Sequence, residues 1–391
     1  MAVTLRQLYE DVKQKEDITL VAGEQGLDHI VRWVHMVEGM EISSFLEGDE
    51  VAFTTGIALN GAKDLLELAV LNQRQQAAGM VINLGPYIKE IPAEVLTYGN
   101  EKGFPIFSVP WQVHMANIMR EFTRQIHLDD MKDLEMETAL KNAFFLPNHK
   151  ELYLPVLKKH GYKTEWLYCV AVIECREKEG IQPKPELLNK LTHFCTDFFR
   201  LYQRHTATIE HEGDLAVLFS NMTEEQVKGR MSDFIRKLQD TPFFNVRLSC
   251  YVGIGSAVCD AYRLGECFEQ ALCVKSLQKK RRQKNIPLSY SEIGIYKLFF
   301  SLKKEVLEEY FTETLGCLEK YDQVNETDYL YFLKKYFELG CSVQDSAAAL
   351  HLHRNSVAYK LRKIEEITQL PMNEPYSRTK IMIALMIQEI H

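Results

Sequence analysis

The chain has 391 residues, of which 46% are hydrophobic and 26% charged, with a formal net charge of −8. That length predicts more than one core. The charge excludes a protein that coats nucleic acid along its whole surface, but not one local basic module. Nine scattered cysteines, with no CxxC pair and none before Cys169, fit reduced thiols better than a disulfide framework or a zinc site. The opening MAVTLRQLYEDVKQ has no long apolar run, so no signal peptide is expected. No segment offers the roughly 20 apolar residues of a membrane span, so the expected location is cytoplasmic.

Residues 31–38 and 50–56 read as strands, rich in Val, Phe and Thr. Residues 62–79 have helical periodicity and are expected to stop at Gly79. Strands at 80–85 and 104–110, with a helix at 92–103 between them, complete a parallel α/β pattern. From 112 to 145 one apolar stripe (Ile118, Phe122, Ile126, Met131, Leu134) runs along a polar helix, read either as a connector or dimer coil or as an ordinary packed helix. A second β-α-β-β-α-β series follows: strand 166–175, helix 185–204, hairpin 205–220, a helix capped by Thr223 and Gln226, and strand 246–255. It suits a ferredoxin-like sandwich. A helix near 261–282 and a short strand at PLSYS come next, and from Glu292 onward only helices are expected.

Near the C-terminus an acidic chain carries a basic helix, HLHRNSVAYKLRKIEEITQL (351–370). Ser342 and Asp345 form a capping-box pattern for a short helix containing Ala347, Ala348 and Ala349. A tight turn then leads to a second helix from about Arg354, so the pair reads as a helix-turn-helix. Val357, Leu361 and Ile364 share one stripe and should pack inward, with Asn355, Tyr359, Arg362 and Lys363 opposite. Arg354, Asn355 and Ser356 occupy the first turn, where a recognition helix meets base edges, and Arg and Asn offer the paired groups that guanine and adenine match. Lys360 and Lys363 would suit phosphates, and the Tyr359 hydroxyl could donate to one. The alternative is a solvated surface helix.

These residues resemble the C-terminal helix-turn-helix of PucR-type transcriptional regulators. The resemblance rests on His353-Arg354-Asn355-Ser356, Tyr359-Lys360-Leu361 and Ile364-Glu365-Glu366. Ser356 and Lys360 replace the family's Thr and Arg, and Gln369 stands where a glycine is usual, leaving the closure of that helix end in question. The likeness extends through GLDHIVRWVHMVE, LEGDEVAFTTG, AAGMVINLG, IPAEV and FPIFSVP, which resemble the family's sensory domain, and through YVGIG and YSEIGIYKLF, which resemble its degenerate GGDEF-like domain. It implies a multidomain α+β chain: an α/β sensory domain (1–128), a helical connector (129–164), a central ferredoxin-like, degenerate GGDEF-like domain (165–291) and an all-α domain (292–391) ending in the helix-turn-helix. The implied function is ligand-responsive control of purine or other nitrogen-compound catabolism, with double-stranded DNA and a small metabolite as partners. A homodimer or larger oligomer is expected, because one helix-turn-helix reads few bases.

Strand ends of a parallel sheet commonly bind ligands. Thr54, Thr55 and Asn83 could hydrogen-bond a planar metabolite stacked on Trp33, with His35 nearby; otherwise they cap turns and fill the core. A nucleotide-cyclising enzyme is the rival reading of the central domain. Its hairpin reads Glu212-Gly213-Asp214-Leu215, short of the glycine and carboxylate that such an enzyme needs to hold two metal ions. Asp214 is therefore read as a turn residue, and neither catalysis, cofactor nor metal is expected. A protein-binding scaffold is the remaining alternative. The run KKRRQK (279–284) reads as a solvated helix end or as a contact to DNA phosphates.

Overall fold

The computed structural model describes residues 3–177, 180–203, 205–245 and 248–390. The chain divides into two compact units. One comprises Met1–Ala143, His149–Lys163 and Asn189–Ile209, and the other Phe144–Asn148, Thr164–Leu188 and Glu210–His391.

The first unit begins with α1 (Leu5–Val12), whose N-terminus is closed by a reciprocal Thr4–Gln7 capping box. There follow β1 (Thr19–Ala22), β2 (Trp33–Met36), α2 (Met40–Ser43), β3 (Glu50–Thr54), α3 (Ala62–Arg74), β4 (Gly79–Leu84), α4 (Ala93–Lys102) and β5 (Ile106–Pro110). The sheet order is β1-β5-β4-β3-β2, with β2 to β5 parallel, as the sequence implies, and β1 antiparallel on β5. Helices cover both faces, which is why the inner strands β3 to β5 read as largely apolar runs. Val51, Phe53, Val81, Phe107 and Val109 pack with Leu5, Leu8, Ile118 and Phe122. The alternating Ala52, Met80, Ile82 and Ile106 pack with Leu65, Leu68 and Val95.

Gly79 does not stop α3. The helix ends before Gln75, Gln76 takes the left-handed conformation (φ 63°), and Gly79 opens β4. A Cβ at Gly79 would come within 2.8 Å of Leu5 and 3.0 Å of the Pro105 carbonyl, so the glycine serves close packing rather than a cap. Next, α5 (Met115–Phe145) buries Ile118, Phe122 and Ile126 but exposes Met131 and Leu134. The helix is thus packed in its first half on that stripe and in its second half on another, through Met136, Ala139 and Leu140, which leaves Met131 and Leu134 open. The short α6 (Leu154–Lys159) follows.

The second sheet is built from β6 (Tyr168–Glu177), α7 (Pro185–Tyr202), β7 (Thr206–His211), β8 (Asp214–Ser220), α8 (Glu224–Asp240), α9 (Pro242–Asn245), β9 (Leu248–Ile254), α10 (Leu264–Arg281) and β10 (Pro287–Ser289). Its order is β10-β9-β6-β8-β7, with β6 antiparallel to both β8 and β9. This is the expected β-α-β-β-α-β connectivity with one added edge strand; the first two residues of the expected strand 246–255 lie outside the described residues. The hairpin turns on Glu212 (φ 54°) and Gly213 (φ 84°), the two left-handed positions of a type I′ turn. Asp214, the fourth residue of that turn, also opens β8 and pairs with Lys275 at 2.5 Å.

Six helices follow: α11 (Tyr296–Phe300), α12 (Lys304–Asn325), α13 (Tyr329–Glu338), α14 (Val343–Ala349), α15 (Arg354–Thr368) and α16 (Pro375–Ile390). The last five share a core that contains Leu315, Phe332, Leu333, Val357, Ile364, Ile381 and Leu385, while Tyr296 and Phe299 of α11 pack with Val274, Leu277 and Ile387. Asp322 fastens the start of α13, accepting from Tyr329 N at 2.9 Å and Leu330 N at 2.8 Å.

Candidate nucleic-acid interface

Ser342 Oγ accepts the Asp345 N–H at 3.2 Å, one half of the expected capping box, and starts α14. The turn to α15 is four residues long (350–353); His351 takes φ 53° and Leu352 N donates to Ala347 O at 2.9 Å. His353 caps α15, its Nδ1 accepting from Asn355 N at 3.2 Å. Ala347, Leu350 and Leu352 pack against the core together with Leu361, while Val357 and Ile364 are fully buried. Two helices thus cross through a short turn, held by small and aliphatic side chains.

Burial of that stripe turns the opposite face outward. Arg354, Asn355, Ser356 and Arg362 are exposed, and the Tyr359 ring is 64% exposed. Lys363 is half-buried and its ammonium bonds Glu366 at 3.0 Å, so part of its charge is already matched. Lys360 corrects the sequence reading. It turns back into the domain, pairs with Asp328 and lies over the rings of Tyr329 (5.1 Å) and Phe332 (5.4 Å). Its cation braces α15 against α13 instead of facing outward. Replacing Lys360 by Met should therefore cost about 1 kcal/mol of stability in urea unfolding. The salt dependence of any DNA binding should stay unchanged; a shallower salt slope would restore Lys360 to the phosphate contacts.

The end of α15 closes as it would with glycine. Gln369 adopts φ 56°, donates its N–H to Glu365 O at 2.8 Å and its side-chain amide to Glu366 O at 2.6 Å. A Cβ in that conformation is strained. Gln369→Gly is expected to raise stability by about 0.5–1 kcal/mol in chemical unfolding, with DNA affinity unaltered.

The predicted effector residues are only partly brought together. Glu38, just beyond β2, gathers the loop after β3: its carboxylate accepts from Thr54 Oγ1 (3.1 Å), Thr55 Oγ1 (2.8 Å), Thr55 N (3.1 Å) and Gly56 N (3.1 Å). Buried Asn83 donates to Val109 O (3.2 Å) and Pro110 O (3.1 Å) at the same end of the sheet. Trp33 does not join them. It pairs in register with Glu50 at the start of β3, four residues from Thr54 and so about 13 Å away along the strand, and is 66% exposed. His35 stands opposite Ala52, two positions short of Thr54.

Two aromatics that the sequence reading passed over lie at this sheet end. Trp111 packs flat on Gly85, where a Cβ would come 2.1 Å from the ring, and Tyr87 meets Trp111 edge-on at 6.2 Å. Both rings are about half exposed. The legible clue was an aromatic directly after the strand FPIFSVP, facing a glycine directly after MVINL.

Residues 8–126 match the purine catabolism regulatory protein-like family PucR, and residues 329–387 match the PucR C-terminal helix-turn-helix domain. PucR-family domains thus stand at both ends of the chain. It is 23% identical over 268 residues to the proline-responsive transcriptional activator PutR of Bacillus subtilis (strain 168), covering 67% of this chain and 64% of that one. It is 27% identical to the purine catabolism regulatory protein of the same organism over 135 residues, 34% of this chain and 25% of that one. The chain thus spans less than two thirds of either relative's length. A regulator of polyketide synthase expression from Bifidobacterium adolescentis is 19% identical and covers 66% of this chain and 91% of its own, at a TM-score of 0.27, too low to equate the two structures. No helix among the described residues is long and apolar enough to cross a membrane.

Proposed function

We propose that this chain is a ligand-responsive, DNA-binding transcriptional regulator that acts in the cytoplasm as a homodimer or larger oligomer. The exposed face of α15, with Arg354, Asn355, Ser356, Tyr359 and Arg362 turned outward from a buried stripe, carries the reading. Arg354 to Ser356 would read base edges. Tyr359, Arg362 and Lys363 would meet phosphates. The exposed Met131 and Leu134 on α5 suit a subunit contact. The four-part division at 128, 164 and 291 belongs to the same reading, with residues 1–128 as the sensory domain.

The effector would bind at the strand ends around Glu38, Thr54, Thr55 and Asn83, with Tyr87 and Trp111 as a stacking surface. A small nitrogen compound suits that mixture of carboxylate, hydroxyls and rings, and the names of the relatives point to proline or purine breakdown. The second sheet is read as a degenerate GGDEF-like module without turnover. Its carboxylates are occupied: Glu174 by Lys279 (2.7 Å) and Lys275 (3.2 Å), Asp214 by Lys275. Cations already fill the place that metal ions would need.

A titration of the protein on its own upstream DNA, with proline and a panel of purine-breakdown compounds, tests the reading. Selective binding that one compound shifts is the expected result. Equal binding to unrelated DNA, or none with any compound, would sink it.

A further inference from the structure

The basic run at 279–284 has a specific setting. Lys279 turns to Glu174, but the residues after it line one side of a cavity of about 540 Å³ at the C-terminal end of α10. Lys280, Arg281 and Arg282 come from that run, and Lys334 joins them from α13. The other wall is apolar: Phe337 from α13, and Met382, Leu385 and Met386 from α16. Met382 is 39% exposed although it lies among hydrocarbon side chains, so this wall is open to an occupant.

Two carboxylates share the lining, Glu338 and Glu389. Glu338 is bonded by Lys335 at 2.6 Å, a cation outside the lining. Glu389 is held by Arg281 at 3.4 Å and by the Tyr296 hydroxyl, and the Arg281 guanidinium stacks over the Tyr296 ring at 4.6 Å. Lys334 also approaches Glu389, at 3.9 Å, so of the two carboxylates Glu389 is shared by Arg281 and Lys334 and Glu338 is engaged by Lys335. Arg282, the left-handed residue that ends α10 (φ 56°), has no ion-pair partner among the described residues. Arg282 thus places an unmatched positive charge beside an apolar wall.

We propose that this cavity binds a small organic anion with an apolar body, a carboxylate or phosphate monoester carrying a hydrocarbon chain or ring. An inorganic anion would leave the Phe337–Met382 wall wet. A neutral hydrocarbon would bury the Arg282 guanidinium without a partner. The volume falls in the range of small-molecule pockets. The site is separate from the strand ends of the first sheet and stands whether or not α15 reads DNA. Its lining helices α13 and α16 contribute to the core that also holds the helix-turn-helix.

Calorimetric titration of the full chain with octanoate and with 1-naphthyl phosphate tests the site, with octan-1-ol and acetate as the halves of the chemistry. At least one of the two amphipathic anions should bind saturably, about tenfold or more tighter than either half. The Lys280→Glu/Arg282→Glu double variant alters only exposed side chains, and its circular dichroism should match that of the unmodified chain. It should weaken the binding by about tenfold or more, a change of about 1.4 kcal/mol. A Lys150→Glu/Lys158→Glu variant, which places the same charge change elsewhere, should leave it unchanged. The proposal fails if neither anion saturates, if octan-1-ol binds as tightly, or if both double variants weaken binding equally. It also fails if the first double variant loses DNA affinity while neither anion binds, because the run would then be a phosphate contact.

Discussion

Replacing Arg354 by Ala is expected to weaken binding to the specific DNA site by about 1–3 kcal/mol, roughly a 5- to 150-fold loss. Arg354 is the first residue of α15, exposed, and none of its atoms belongs to the buried stripe of Val357 and Ile364. The fold should therefore be untouched, and unfolding curves should superimpose. A bidentate contact to a base is lost only on the specific sequence, so binding to unrelated DNA should fall much less. Arg362→Ala supplies the contrast: a phosphate contact should weaken both sequences alike and lower the salt slope by about one unit. Titrations at two salt concentrations separate the cases. An equal loss on both sequences would demote Arg354 to a phosphate contact, and no loss on either would mean that α15 is a solvated surface helix.

The largest stability effect is expected at Glu174. Its side chain is 4% exposed on β6 and takes bonds from Arg176 (2.5 Å), Lys279 (2.7 Å) and Lys275 (3.2 Å). Glu174→Ala leaves these cations facing one another beside Asp214 alone, and should cost about 3–5 kcal/mol in urea unfolding. The acid limb gives a second readout. Burial, the largest single influence, pushes the Glu174 carboxyl up, but the bonds from Lys279 and Arg176 and the charge of Lys275 outweigh it and hold the group at about 2. A carboxylate depressed on folding adds stability that is complete above its unfolded value near 4.5 and is lost as pH falls through about 2. The contribution at neutral pH is about 3 kcal/mol. Asp214 runs the other way, because burial raises it in spite of Lys275. Stability measured from pH 5 to pH 2 should fall less steeply in Glu174→Gln than in the unmodified chain. Parallel acid limbs would show that the network is neutral in the fold.

The legible parts of this protein are those whose causes lie within a few residues. The caps at Thr223 and Ser342, the left-handed pair Glu212-Gly213, and the stripe Val357, Leu361, Ile364 act over three or four positions, the reach of a helical turn or a hairpin. The strands β3 to β5 were legible because burial on both faces leaves a largely apolar run in the sequence. By contrast, β1 is only four residues long and mostly half-buried, and its pairing with β5 spans some 86 residues.

By itself, then, the sequence determined the parallel sheet, the β-α-β-β-α-β series, and a basic helix with one inward and one outward face. Only the tertiary structure decided how individual polar side chains are used. Lys360 lies on the basic stretch, but Asp328, Tyr329 and Phe332, on a different helix, draw it inward. Trp33 and Thr54 look like neighbours in composition, yet register sets them at opposite ends of adjacent strands. The cavity beside Arg282 exists only where α10, α13 and α16 meet. Periodicity and caps are written in neighbouring residues. The direction of a long charged side chain depends on which carboxylate or ring lies within a few ångströms, and folding brings that partner from far along the chain.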